Sequence, residues 1–289
     1  LVKIINKLDN IDLLFDKGQF NIEKWTLYIN GIYEDSDYIF KQEVDKYTKN
    51  NKYRWKNDFL PIINNVYNNK NIELLKSSFL EVTNNINEKI NKIFNKRLNV
   101  DIVLYLGLCN GAGWVTKIND KTVVLLGIEK ILELNWFDYY SIQGLIYHEL
   151  GHVYHMQHGK FITNLPNNKV KFVYQLFIEG VAMYFTQLIL NDFNYYHQDK
   201  DGWKSWCDDN FHEIIKDFDK DLNDMSRFNQ RYFGDWCNYK GKSDVGYYLG
   251  AKFVHYLISN NTFDEIINLE SDQVFKLYKE FINANLIKT

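Results

Sequence analysis

Ile142-Gln143-Gly144-Leu145-Ile146-Tyr147-His148-Glu149-Leu150-Gly151-His152-Val153 is the stretch on which the fold turns. Its apolar residues Ile142, Leu145, Ile146, Leu150 and Val153 recur at threes and fours, which predicts an amphipathic helix. The spacing places that helix from Asn135 or Asp138 to about Gln157, with Gly159 as its stop. His148 and His152 stand one turn apart on the same face, so both imidazoles can reach one Zn²⁺ at ~2.0–2.1 Å. Glu149, beside the first histidine, is then placed to take a proton from a metal-activated water.

A catalytic zinc needs a third protein ligand and an open fourth position. A second helix, from about Phe172 to Asn191, carries Phe177-Ile178-Glu179-Gly180-Val181-Ala182-Met183-Tyr184. A carboxylate among apolar residues is costly unless it is paired or metal-bound, so Glu179 is the first candidate. The small residues Gly180 and Ala182 are expected to let this helix approach the histidine helix. His158 is the alternative, but on a continuing helix it lies about 240° around from His152 and cannot share its metal.

The rest of the chain supplies a setting of mixed class. Residues 1–95 read as helical, and Ile72, Leu75, Phe79, Val82, Ile86, Ile90 and Ile93 share one face of what reads as a single helix. Between 98 and 127 the period changes: Val100–Tyr105 and Lys121–Gly127 are β-rich, separated by the glycine break Gly111-Ala112-Gly113-Trp114. A small antiparallel sheet with an exposed edge is expected here. Thr262-Phe263-Asp264-Glu265 has the form of a capping box. The fold class is therefore α+β, predominantly helical, with a small antiparallel or mixed sheet beside a two-helix zinc site.

Composition narrows the function. The chain has 289 residues, 46% hydrophobic and 25% charged, enough for a sizeable core. With 34 basic against 37 acidic residues it has no electrostatic footprint for nucleic acid. Cys109, Cys207 and Cys237 are odd in number and far apart, against a disulfide scaffold or a cysteine-based zinc ribbon. No apolar run reads as long enough to cross a bilayer, so no membrane partner is expected. The N-terminus lacks a signal-peptide core. The default location is the cytoplasm, although a chain starting at Leu1 is compatible with a removed leader.

The motif His148–His152 followed by Glu179-Gly180-Val181-Ala182 on a later helix resembles the gluzincin zinc peptidases, whose third ligand is a glutamate. Phe177–Tyr184 is similar to the second-helix signature of aminopeptidase N-like enzymes. Gly246-Tyr247-Tyr248-Leu249-Gly250-Ala251-Lys252-Phe253 resembles their tyrosine-bearing helix start. The combination is most like the bacterial Zn-dependent protease families. The resemblance, over about residues 100–260, implies a hydrolase that cuts peptides or proteins with one catalytic Zn²⁺ and Glu149 as general base. It also implies Tyr247 as oxyanion donor, with Tyr248 as the alternative. A mild shift in composition near 95–100 is the best candidate boundary, giving an N-terminal helical subdomain, 1–97, and a zincin-like catalytic domain, 98–289, or else one compact unit.

Two departures accompany the match. The 26 residues between His152 and Glu179 exceed the family's usual spacing, and the excess falls in the loop His158–Lys171. The segment Gly111-Ala112-Gly113-Trp114 is the substrate-binding counterpart of the family's edge strand but carries no carboxylate, so aminopeptidase specificity is not implied. The metzincin spacing also runs from His148 to His158, but His155 stands where those enzymes turn at glycine.

The remaining candidates read as structural. His155 and His158 are expected at the solvent-facing end of the histidine helix, and His255 on a helix face. His197 and His212 have no partners in sequence. Asp217, Asp219, Asp221 and Asp224 read as a solvated helix face. The alternative to a working peptidase is a catalytically idle gluzincin-like domain that binds peptides or a partner.

Overall fold

The computed structural model describes residues 1–49 and 53–286, and the chain is α+β. It divides into two compact units, Leu1–Glu149 and Leu150–Thr289, with the division inside one continuous helix.

The first unit is built on a four-stranded sheet of β1 (Val2–Asn6), β4 (Val100–Tyr105), β5 (Gly113–Ile118) and β6 (Lys121–Gly127). A two-stranded ribbon, β2 (Phe15–Asp16) with β3 (Gln19–Phe20), stands apart from it. The sheet order is β1-β4-β6-β5, with β1, β4 and β6 parallel and β5 antiparallel to β6. The sheet is thus mixed, and its parallel share exceeds the expectation. Every residue of β4 is buried, as a central parallel strand covered on both faces requires. Asp101 survives there because its carboxylate accepts the Tyr33 hydroxyl at 2.8 Å.

β1 and β5 correct the reading of two segments. Residues 1–95 are not wholly helical, because Val2–Asn6 pairs in register with Val100–Leu104. Gly113 and Trp114, read as part of a glycine break, instead begin a strand, Gly113–Ile118, joined to β6 by the two-residue turn Asn119-Asp120. Both turn residues have positive φ (49° and 62°), the geometry that matches the twist of a tight hairpin. No further strand pairs with the outer side of β5 among the described residues.

The helices of this unit are α1 (Ile22–Asn30), α2 (Asp37–Thr48), α3 (Leu60–Asn64), α4 (Ile72–Thr83), α5 (Ile86–Phe94) and α6 (Ile128–Glu133). The single helix expected over 72–93 is two, α4 and α5. Asn85 between them takes φ 55°, a left-handed conformation that ends one helix and starts another while the apolar period runs on. The helix α7 (Tyr139–His158) then carries the chain across the division.

The second unit consists of α8 (Asn168–Leu190), α9 (Trp203–Asp209), α10 (Phe211–Asp221), α11 (Val245–Ile258), α12 (Phe263–Ile266) and α13 (Ser271–Leu286). Its core is α8, most of which is buried, lying against α11. The two backbones touch where Gly180 meets Gly250: a Cβ on Gly180 would lie 2.1 Å from the Gly250 carbonyl oxygen. By length and composition α8 is long and apolar enough to cross a membrane, which amends the reading of the sequence, although 67% of its apolar window is buried here. The capping box at Thr262 and Glu265 is present in full.

The acidic face of α10 is not merely solvated. Asp217 accepts the Tyr239 hydroxyl and Asp221 that of Tyr232, each at 2.8 Å, while Arg231 pairs with both carboxylates. Asp219 pairs with Lys279 and accepts from Tyr278 on α13. Alternate carboxylates thus tie α10 to its surroundings.

Candidate metal centre

The site begins with the helical register of α7. His148 and His152 are four residues apart on one continuous helix, so their rings rise from the same face. The third member comes from α8. Glu179 Oε2 lies 3.2 Å from His152 Nε2, and both side chains are largely buried (13% and 14% exposed). One donor atom each from His148, His152 and Glu179 falls within 4.8 Å of the others.

This donor set fits a divalent metal. Two ligands bound tetrahedrally to zinc at ~2.0–2.1 Å stand about 3.3 Å apart, close to the separation seen between His152 and Glu179. Two imidazoles and one carboxylate are a known catalytic zinc set, and three protein ligands leave a fourth position for water or substrate. His148 is buried, with 2% of its surface exposed, so the metal would sit in a low-dielectric setting that strengthens its field.

α8 reaches α7 through small residues, but not through the pair expected. Ala182 packs on Gly151, where a Cβ would lie 2.7 Å from the Ala182 Cα. Gly180, expected to face the histidine helix, instead admits Gly250 of α11. The stripe of small residues therefore serves two neighbours.

Glu149 is buried (6% exposed) and faces the sheet. A Cβ on Gly113, the first residue of β5, would stand 2.6 Å from Glu149 Oε1 and 2.9 Å from its Cγ. The glycine thus lets the strand seat directly against this carboxylate. Of the neighbouring residues, Ala112 is buried, Gly111 is half-buried with φ 157°, and the half-buried Trp114 donates its indole N–H to the Tyr105 hydroxyl at 3.2 Å. Gly111 and Ala112 precede the strand, and Gly113 and Trp114 begin it.

His158 is absent from the metal-capable group; its ring lies 5.0 Å from that of Tyr154. His155 corrects the expectation of a solvent-facing residue: it is fully buried, edge-on to Phe161 and Phe177. Burial, with His152 nearby, pushes its pKa down to about 4, so the ring stays neutral.

The two tyrosines of α11 separate cleanly. Tyr248 is buried and donates its hydroxyl to Asp208 Oδ1 at 2.7 Å, while burial and that carboxylate push its pKa up. Tyr247, in the first turn of α11, is half-buried and held between two rings, His197 at 6.1 Å and Phe233 at 6.3 Å. His255 bonds through Nε2 to Gln187 Oε1 at 2.8 Å and packs on Tyr184 and Phe193.

One residue was left without a partner in the sequence reading, and another was missed. His197 gave no signal, because its neighbour Tyr247 is 50 positions away. Glu129 gave one: it is a charge set inside the apolar run Val123–Leu132, and it is buried (1% exposed). No protein-family model, curated protein or solved structure matches the chain.

Proposed function

We propose that the chain is a zinc-dependent metallopeptidase of the gluzincin type, with His148, His152 and Glu179 holding one Zn²⁺ and Glu149 acting as general base. The observation that carries this reading is the convergence of the three donor atoms within 4.8 Å. It is supported by the burial of Glu149 against the first residue of an edge strand.

A zinc ion at this position would polarise a peptide carbonyl and acidify an attacking water toward a pKa of about 7. Glu149 would serve as the base that accepts a proton from the attacking water and would return it to the departing amine. The hydroxyl of Tyr247 donates to the oxygen on which negative charge develops, a kind of contact whose loss costs on the order of 10²–10³ in turnover. Tyr248 is unsuited to this task because its proton is committed to Asp208.

The outer side of β5 offers backbone donors and acceptors to an extended peptide, which would add as a further strand. Such pairing is indifferent to side-chain identity, so the substrate class is peptides or unfolded protein segments rather than one defined sequence. The residues that would meet it are Gly111, Ala112, Gly113 and Trp114.

The Glu149→Gln variant tests the reading. It should retain one zinc per chain and lose cleavage of a mixed set of quenched fluorogenic peptides. Full activity in that variant removes Glu149 from its role. Purified wild-type protein that takes up no stoichiometric zinc removes the metal altogether. Zinc uptake with peptide binding but no cleavage favours the catalytically idle alternative.

A further inference from the structure

We propose that Glu129 is a positioning residue that fixes the loop Gly107–Ala112 and thereby seats Gly113 of β5 against Glu149. The inference rests on the reading of Glu149 as the base and of β5 as the peptide-docking edge. Glu129 sits in the first turn of α6, directly after β6, with both carboxylate oxygens turned to one loop. The Gly107 N–H donates to Oε2 and the Cys109 N–H to Oε1, each at 2.8 Å. A fully buried carboxylate is costly: burial holds its pKa above the usual carboxylate range, and the Gly107 and Cys109 amides oppose that rise.

The rest of the loop is held from its other end. The Gly127 N–H donates to the Ala112 carbonyl at 3.0 Å, and Asn110 accepts from the Leu108 N–H while donating to the Phe40 carbonyl. Cys109 takes φ 59°, a left-handed conformation uncommon for a residue with a Cβ, and its N–H is held there by Glu129. Ala112 leads into Gly113, where even a Cβ would stand 2.6 Å from Glu149 Oε1, so the strand start lies directly against that side chain. A shift of the loop by a few tenths of an ångström therefore reaches the edge strand directly. Two equivalent oxygens accept two amides at once; a glutamine offers one acceptor and one donor, and leaves an amide facing an N–H.

The test uses the full chain loaded with zinc, in Glu129→Gln and in Gly107→Ala, whose Cβ would stand 2.5 Å from Glu129 Oε1. With one buried amide left unpaired, amide exchange across residues 107–116 should accelerate about tenfold while α8 and α11 keep their protection. Zinc content should stay at one per chain. KM for a fluorogenic peptide should rise about tenfold with kcat within about twofold, since the docking edge rather than the metal is disturbed. Acceleration confined to 107–109, an unchanged KM, or zinc loss with exchange throughout the chain would each overturn the assignment. Wild-type protein that cleaves no peptide sinks the peptidase reading alone, and the exchange pattern then decides the role of Glu129.

Discussion

Gly151 of α7 and Ala182 of α8 meet backbone to backbone, so that a single methyl group at position 151 would stand 2.7 Å from the Ala182 Cα. This contact lies one residue before His152 and three after Glu179, and it sets the distance across which those two side chains face each other.

Gly151→Ala should therefore act on the metal as well as on stability. Overpacking of a tight core contact typically costs about 1–3 kcal/mol, which outweighs the gain of up to about 1 kcal/mol from replacing a helical glycine. The expected result is zinc affinity at least about tenfold weaker, measured by competition with a chromophoric chelator, and a lower thermal midpoint.

Glu179→Ala and His158→Ala separate the two candidates for third ligand. Groups that merely orient a zinc ligand are worth about 10–100-fold in affinity, so loss of a direct ligand should exceed ~100-fold. His158→Ala should leave zinc content after dialysis at the wild-type level. The reverse outcome would transfer the third ligand to His158.

Tyr247→Phe and Tyr248→Phe should fail in different ways. Removal of the Tyr247 hydroxyl should lower kcat by on the order of 10²–10³ with little change in unfolding. Removal of the Tyr248 hydroxyl leaves Asp208 without that donor and should cost about 1–2 kcal/mol in urea unfolding, with kcat near wild type.

His155 gives the folded protein a pH dependence of known sign. Its pKa is lowered from 6.5 to about 4 by burial, so below pH 6.5 the unfolded chain binds a proton that the folded chain does not. The stability supplied by the neutral ring is full above pH 6.5 and is lost as pH falls toward about 4. In zinc-stripped protein this loss should reach roughly 3 kcal/mol, and His155→Phe should flatten it. Urea midpoints at pH 7.5 and pH 4.5 for both proteins check the difference. A variant whose midpoint falls as steeply as the wild type would assign the effect to other groups.

The histidine pair was legible because it rests on helical period alone, and Glu179 because a carboxylate amid apolar residues needs a partner. Long helices such as α7 and α8 carry their register in the sequence, and four-residue spacing translates directly into a shared face. The contacts that were not legible are those made across long separations. Val2 pairs with Val100, and no local pattern in Val2–Asn6 announces it. Asn84-Asn85 broke a helix whose apolar period continued, so periodicity overran the stop. His155 was misjudged because a polar residue near a helix end is expected outside, whereas Phe161 and Phe177 close over it. The aspartates of α10 were misjudged for the converse reason: the tyrosine and arginine donors that engage them come from 231, 232, 239 and 278.

The parallel pairing of β1 with β4 also bears on the birth of the molecule. Val2 must wait for Val100 to leave the ribosome, and at about 5–20 residues per second that interval is roughly 5–20 s. During it the strand has only transient partners, and closing so long a loop is slow even afterwards. Nascent chains stalled before residue 100 should thus leave Val2–Asn6 open to proteases and to chaperones, and those stalled well beyond Gly127 should not.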